Sequence, residues 1–209
     1  MGLNGAQIKF SLDSLAGSDP LIAQALDMVG YPAPRHRSKQ FSTLLQIITA
    51  QQISTQSAAA VWAKLQEFLD GDVSAASVLA CSELSLHQAG LSARKASYAL
   101  DLANKCVSGE LDLRQVARQS DEEAIASISS VRGLGRWSAE IYLLFAEGRA
   151  DVWPADDLAI QVAFQRLHGL DERPKGKGFY PLTEKWSPHR GACALLMWKL
   201  YGAETLAKK

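Results

Sequence analysis

The sequence has few cysteines, few histidines and no surplus of charge. Its 209 residues include 3 cysteines, Cys81, Cys106 and Cys193, which are far apart and form no Cys-x-x-Cys pair. That argues against a disulfide scaffold and against a four-cysteine zinc or iron–sulfur site. The 4 histidines, His36, His87, His168 and His189, are scattered and form no His-x-x-x-His pair. Lysine plus arginine is 22 and aspartate plus glutamate is 22, so the formal net charge is zero. Nucleic-acid-binding domains are usually basic, so this balance at first speaks against that class. Long hydrophobic runs are missing too; stretches such as Ala192 to Trp198 are far too short to span a bilayer. No basic segment followed by an apolar run opens the chain, so no secretory leader is expected and the default setting is soluble, reducing and cytoplasmic. There is no low-complexity tract and no repeat of fixed period.

What is present is a globular composition, 47% hydrophobic and 21% charged, on a length that suits one domain or one body of two lobes. The periodicity is helical throughout. Asp19-Pro20 reads as a cap and first helical residue, with a stop at Gly30. A second helix is expected over Ser38 to Gln52, with Phe41, Leu44, Leu45 and Ile48 on one face. Ser54 or Thr55, Ser74, Ser82 and Ser92 read as caps of the helices that follow, and Gly109 as the end of the longest of these. Two short helices are expected over Leu113–Arg118 and Glu122–Ser129, then one from Arg136 to Glu147 and one from Asp156–Asp157 to just before Gly169. The last helix is expected to open with Ser187 as cap and Pro188 as first residue, with Gly202 beyond its end. Residues 7–12 alone leave room for a short extended piece. The expected architecture is all-α, with about ten helices.

Two features carry chemistry. The first is the turn Gly133-Leu134-Gly135 between two helices. Glycines there permit positive φ and close backbone approach, with Leu134 plugging the turn into the core. Amides at the start of the next helix, at its positive dipole end, suit one phosphate oxygen. Spacing alone leaves two readings, plain turn chemistry or a phosphate nest. The second is Asp156-Asp157, which follows Trp153-Pro154-Ala155 and precedes a helix. Only one of the pair can be the cap, and Asp156 is the better candidate, because Ile160 and Phe164 then face inward. Asp157 would sit in the first turn, ionised near the dipole's positive end. Such a carboxylate can stabilise a developing cation or orient a water, or it can be structural only.

Together these features resemble the helix-hairpin-helix DNA glycosylase superfamily. The hairpin motif reads Val131-Arg132-Gly133-Leu134-Gly135-Arg136-Trp137-Ser138-Ala139, and the Asp follows in Val152-Trp153-Pro154-Ala155-Asp156-Asp157-Leu158-Ala159-Ile160. Three further stretches are similar to the DNA-3-methyladenine glycosylase II (alkylbase) branch: Gln51-Gln52-Ile53-Ser54, Leu91-Ser92-Ala93-Arg94-Lys95, and Trp186-Ser187-Pro188-His189-Arg190 with Trp198 downstream. The resemblance covers about residues 15–202. It implies a two-lobed helical fold with the active site in the cleft between lobes. The whole of 1–209 would be one such domain. One lobe, about 38–160, would hold the wedge, hairpin and Asp, and the N-terminal helix and C-terminal segment would form the other.

The resemblance also implies roles. Asp157 matches the catalytic carboxylate, and Asp156 its neighbour at the substrate site. Arg132, Gly133, Leu134, Gly135 and Arg136 match the hairpin that holds a DNA phosphate. No metal ligand is implied among side chains, but a monovalent cation at the backbone near Gly133 and Gly135 is. Ile53 matches the wedge that fills the space of a flipped nucleotide, with Gln52 and Ser54 beside it on the DNA. Read without the family, Ile53 belongs to the core run Ile47–Ile48–Ile53. Trp198 matches an aromatic of the base pocket, although Ala194, Trp198 and Tyr201 also have core spacing. Trp137 is assigned to substrate binding and stands where lyase-active relatives carry lysine. Indole cannot form a Schiff base, which favours a monofunctional enzyme. Ile141 stands where some relatives have a pocket tyrosine.

The implied function is hydrolysis of the N-glycosidic bond of alkylated purines in duplex DNA by base flipping, for base excision repair. The implied partner is double-stranded DNA with alkylated bases or abasic sites. No cofactor and no membrane are expected, and the protein is expected to be a monomer, cytoplasmic and nucleoid-associated. The other readings are a non-catalytic hairpin module, a bifunctional oxidised-base enzyme of the same fold, and a helical protein-interaction domain. The zero net charge is compatible with DNA if charge is segregated. Acids such as Asp121-Glu122-Glu123 are expected away from the site, with Arg132 and Arg136 at the hairpin and Arg94, Lys95 and Arg35 to Lys39 adding to one basic side.

Overall fold

The computed structural model describes residues 2–207, and among them there are helices and turns but no strand. The residues group into two compact units, one made of the segment up to His36 together with that from Leu143 onward, the other of Arg37–Tyr142. The expected 38–160 lobe thus ends earlier, at Tyr142, and Asp157 belongs to the other unit.

The Arg37–Tyr142 unit begins with α3 (Phe41–Ala50), which follows α1 (Gly5–Ala16) and α2 (Pro20–Val29) in the chain. Leu44, Leu45 and Ile48 of α3 are fully buried, as their spacing predicts. Serine caps then set each start. Ser54 opens α4 (Thr55–Phe68), Ser74 opens α5 (Ala75–Leu79), Ser82 opens α6 (Glu83–Gln88) and Ser92 opens α7 (Ala93–Ser108). In each case the serine side chain accepts a hydrogen bond from the third amide of its helix, which satisfies a donor that the helix itself leaves over. α8 (Leu113–Val116), α9 (Asp121–Ser129) and α10 (Arg136–Tyr142) complete the unit.

In the other unit α1 overturns the expected extended piece at residues 7–12. Asn4 and Gln7 form a reciprocal capping box, each bond 2.9 Å long, and Ile8, Leu12 and Leu15 are buried on one face. The helix expected from Arg136 to Glu147 changes character at Leu143. Leu143–Glu147 is a π segment, the wider form often found where a helix carries a functional side chain. Then come α11 (Leu158–Leu167), two 3-10 turns at Gly176–Phe179 and Pro181–Trp186, and α12 (Arg190–Ala207). The last helix starts later than Ser187-Pro188 and runs past Gly202. Ser187 is not its cap, because the Ser187 hydroxyl donates to Asp151 Oδ2 at 2.8 Å, and Arg190 pairs with the same carboxylate at 2.7 Å. Trp153, Phe164, Phe179 and Trp186 pack edge to face at the centre of this unit, with Trp186 Nε1 donating to the buried Asp19 at 2.8 Å.

Candidate active site

Trp153 is 2% exposed, and its place in the aromatic core fixes the start of the Trp153–Asp157 turn. The Asp157 amide donates to the Pro154 carbonyl at 3.0 Å, and Gln161 Nε2 fastens the Ala155 carbonyl at 2.7 Å. The helix therefore begins one residue later than the sequence suggests. Asp157, not Asp156, is the cap of α11: its backbone is extended, and its Oδ1 accepts from the amides of Ala159 at 3.0 Å and Ile160 at 3.1 Å. Asp156 is displaced into solvent and is exposed.

The same Oδ1 accepts a third hydrogen bond, from Trp198 Nε1 on α12, at 3.0 Å. The two residues that the sequence reading assigned to carboxylate and base pocket are thus in direct contact. Trp198 is half-buried, not a core residue. Its ring lies 5.4 Å from that of Phe145, at 42° between planes, and Phe145 stands on the π segment. The Arg35 guanidinium lies over both rings, 5.3 Å from the Trp198 centroid and 5.8 Å from the Phe145 centroid. Burial pushes the Arg35 pKa down and the Asp157 charge pulls it back up. The group forms a carboxylate with aromatic faces beside it, a setting in which positive charge is stabilised.

The hairpin and the loop that carries Gln52 and Ile53 meet in the Arg37–Tyr142 unit. Leu134 is 2% exposed and plugs the turn, as expected. Gly133 has φ +87°, and a Cβ there would lie 2.1 Å from the Tyr98 ring. Gly135 has an ordinary φ and open space where its Cβ would be, so only the first glycine is needed for backbone conformation. The Arg132 amide donates to Asp101 Oδ2 at 2.8 Å, and Gln51 Nε2 donates to the Gly133 carbonyl at 2.8 Å. Gln51 therefore ties the hairpin to the loop that carries Gln52 and Ile53. Gln52 is left-handed, φ 57°, a conformation that a non-glycine residue adopts at a cost of about 1 kcal/mol or more. Ile53 is 40% exposed, so it is not part of the core run with Ile47 and Ile48. Ser54 caps α4. Gln51, Gln52, Arg94, Lys95, Tyr98 and Gly133 are among the residues lining a surface depression of about 500 Å³.

The charges differ from expectation. Glu122 is not away from the hairpin: its carboxylate pairs with Arg136 at 2.9 Å, and Arg136 Nε also binds the buried Glu140 at 3.1 Å. Arg136 is thus held by acids within the chain. Lys95 donates to the Thr49 carbonyl at 2.8 Å, at the C-terminal end of α3. Arg132 and Arg94 are exposed. Trp137 is half-buried on α10, in the hairpin unit. Arg35, Phe145, Tyr98 and Asp101 were not read as site residues from sequence. Their partners are distant along the chain, and no local motif marks them.

A family model described as HhH-GPD superfamily base excision DNA repair protein matches residues 45–189. The chain is 28% identical over 191 residues to DNA-3-methyladenine glycosylase 1 of Schizosaccharomyces pombe, covering 88% of this chain and 84% of that protein. Its fold is similar to the solved structure of the S. pombe 3-methyladenine DNA glycosylase in complex with abasic DNA, with TM-score 0.79 and 27% identity over 95% of this chain and 98% of that one. It is also similar to a DNA-3-methyladenine glycosidase from Bacillus halodurans, with TM-score 0.81 and 25% identity over 95% of this chain and 91% of that one.

Proposed function

Because the chain belongs to the HhH-GPD superfamily of base excision DNA repair proteins, we propose that it is a monofunctional DNA glycosylase that hydrolyses alkylated purines from duplex DNA. The observation that carries this reading is the 3.0 Å hydrogen bond from Trp198 to Asp157. It joins an aromatic face and an oriented carboxylate in one group, as excision of a cationic base requires.

In this reading the hairpin amides around Gly133 and Gly135 hold a backbone phosphate, and Ile53 fills the gap left by the flipped nucleotide. Unstacking costs a few kcal/mol, and less for a damaged pair, which contributes selectivity. Alkylation at N3 or N7 makes the purine cationic, so it leaves as a neutral base. Asp157 stabilises the oxocarbenium-like sugar and orients the water that adds to C1′. Its Oδ1 is fixed by three donors, two amides and an indole, so the carboxylate needs no reorganisation during reaction. Where the Arg35 guanidinium moves off it, the Trp198 face adds a cation–π preference of about 0.5–2 kcal/mol for a charged base. Trp137 is a further base-binding residue by its position in the hairpin motif.

A monovalent cation at the hairpin would use backbone carbonyls. Those of Val131 and Gly133 each accept one hydrogen bond within the chain, which leaves a second lone pair on each.

The test is incubation with duplexes that carry a single methylated purine. Release of free base with an intact abasic strand is expected, and no release contradicts the reading. Borohydride trapping on abasic DNA is expected to give no covalent adduct, since the lysine position is held by Trp137. An adduct would refute the monofunctional assignment.

A further inference from the structure

Arg35 lies in the segment between α2 and α3, and its backbone is tightly held. A Cβ on Gly2 would lie 2.4 Å from the Arg35 carbonyl and 2.8 Å from that of Phe145, so the N-terminal residues fit closely against both. Pro32, three residues earlier, is buried. The side chain is placed differently. Its guanidinium covers the Trp198 and Phe145 rings and is acted on by the Asp157 charge, yet it makes no hydrogen bond among the described residues. Arg35 is exposed, so the five N–H donors of a permanent cation stand over these rings facing solvent, within the field of the Asp157 charge and with no acceptor among the described residues.

This places a protein cation on the faces that a cationic base would use. A charged purine entering there meets like charge and must displace the guanidinium from its rings. An uncharged purine meets a planar fork of donors. The two classes also differ as leaving groups. When water adds to C1′ and the N-glycosidic bond breaks, its electron pair goes to the base nitrogen. A cationic base becomes neutral, and the proton of the water passes to solvent. An uncharged base becomes anionic until it takes that proton, so hydrogen-bond donation to its ring nitrogen or carbonyl oxygen stabilises departure.

We propose that Arg35 is a specificity-determining residue that extends excision to uncharged lesion purines, by donating to their acceptor edge, at the expense of cationic ones. The proposal rests on the glycosylase reading above and deepens it.

The test compares wild type, Arg35→Ala and Arg35→Gln on duplexes bearing hypoxanthine, 1,N6-ethenoadenine or 7-methylguanine, under single-turnover conditions. Excision of the two uncharged lesions is expected to fall at least about tenfold in Arg35→Ala, the scale of one charge-assisted hydrogen bond. Excision of 7-methylguanine is expected to stay unchanged or rise. Arg35→Gln, which keeps a neutral donor, is expected to fall in between on the uncharged lesions. Rates on all three duplexes are compared within one preparation, so a smaller folded fraction cancels in their ratio. Equal changes on all lesions would overturn the proposal, as would a wild type that excises 7-methylguanine but no uncharged lesion. A wild type inert on every lesion refutes the glycosylase reading itself.

Discussion

The indole Nε1 of Trp198 donates to Oδ1 of Asp157 at 3.0 Å, and the same oxygen caps α11 through the amides of Ala159 and Ile160. One carboxylate oxygen therefore begins a helix and fixes an aromatic face. Two proposed tasks of the site, holding a carboxylate still and presenting a ring to a base, depend on a single atom. Side-chain capping contributes about 0.5–2 kcal/mol, so a substitution here is read correctly only if stability and chemistry are measured separately.

The hairpin glycines separate in the same way. Gly133→Ala is expected to lower Tm, because its positive φ costs about 1–3 kcal/mol for alanine and the new Cβ collides with Tyr98. Gly135→Ala is expected to change stability by no more than about 0.5 kcal/mol, since its Cβ meets open space. That space is where a phosphate would approach, so its affinity for abasic-analogue DNA is expected to fall about tenfold, the worth of one charge-assisted hydrogen bond. Thermal denaturation beside a fluorescence-anisotropy titration decides both.

The internal pairing of Arg136 and Lys95 bears on salt dependence. Both lie near the hairpin, yet one is held by Glu122 and Glu140 and the other by the Thr49 carbonyl. Arg136 is neutralised within the chain, which leaves Lys95, still charged, and the exposed Arg94 and Arg132 as the cations beside the hairpin that can displace counterions. The slope of log K against log salt is expected to be about −2 to −4. A slope near that of a strongly basic binder would show that other lysines and arginines carry the contact.

His168 stacks on Phe164 at 3.8 Å, and burial pushes its pKa below the usual 6.5. Asp19 opposes that shift and Lys185 adds to it. Between the folded and unfolded values the unfolded chain binds more protons, so stability falls as pH drops through this window. Burial pushes the Asp19 and Asp151 carboxyls up, but hydrogen bonds and the neighbouring Lys185 and Arg190 outweigh it and hold both below 3.8. Their losses therefore come at lower pH. Tm is expected to decline between about pH 7 and pH 5, and His168→Gln is expected to flatten that decline. An unchanged pH slope in the variant would place its origin elsewhere.

Much of this was legible in the sequence where the cause is local. The serine caps at 54, 74, 82 and 92 and the cap at Asp19 lie where the sequence places them, because a cap needs only its own first turn. The error over residues 7–12 has a physical source. Ile8, Phe10 and Leu12 alternate with polar residues, as in a strand, but Phe10 is 68% exposed while Ile8 and Leu12 are buried. The choice between Asp156 and Asp157 failed because the Pro154 carbonyl and the Trp198 indole decide it, and the latter is distant in sequence. The π segment was missed because a short stretch of π helix and one of α helix share the same apolar pattern. Arg35 was visible only as one basic residue among several, since the rings it covers come from Phe145 and Trp198.

The most direct measurement is single-turnover excision of 7-methylguanine by Asp157→Asn beside wild type, with Tm and abasic-DNA affinity taken on the same preparations. Asparagine caps a helix as well as aspartate, so stability and DNA binding are expected to hold. Excision is expected to slow at least ~100-fold, the scale of a positioned catalytic group. Excision at near the wild-type rate would contradict the assignment of Asp157.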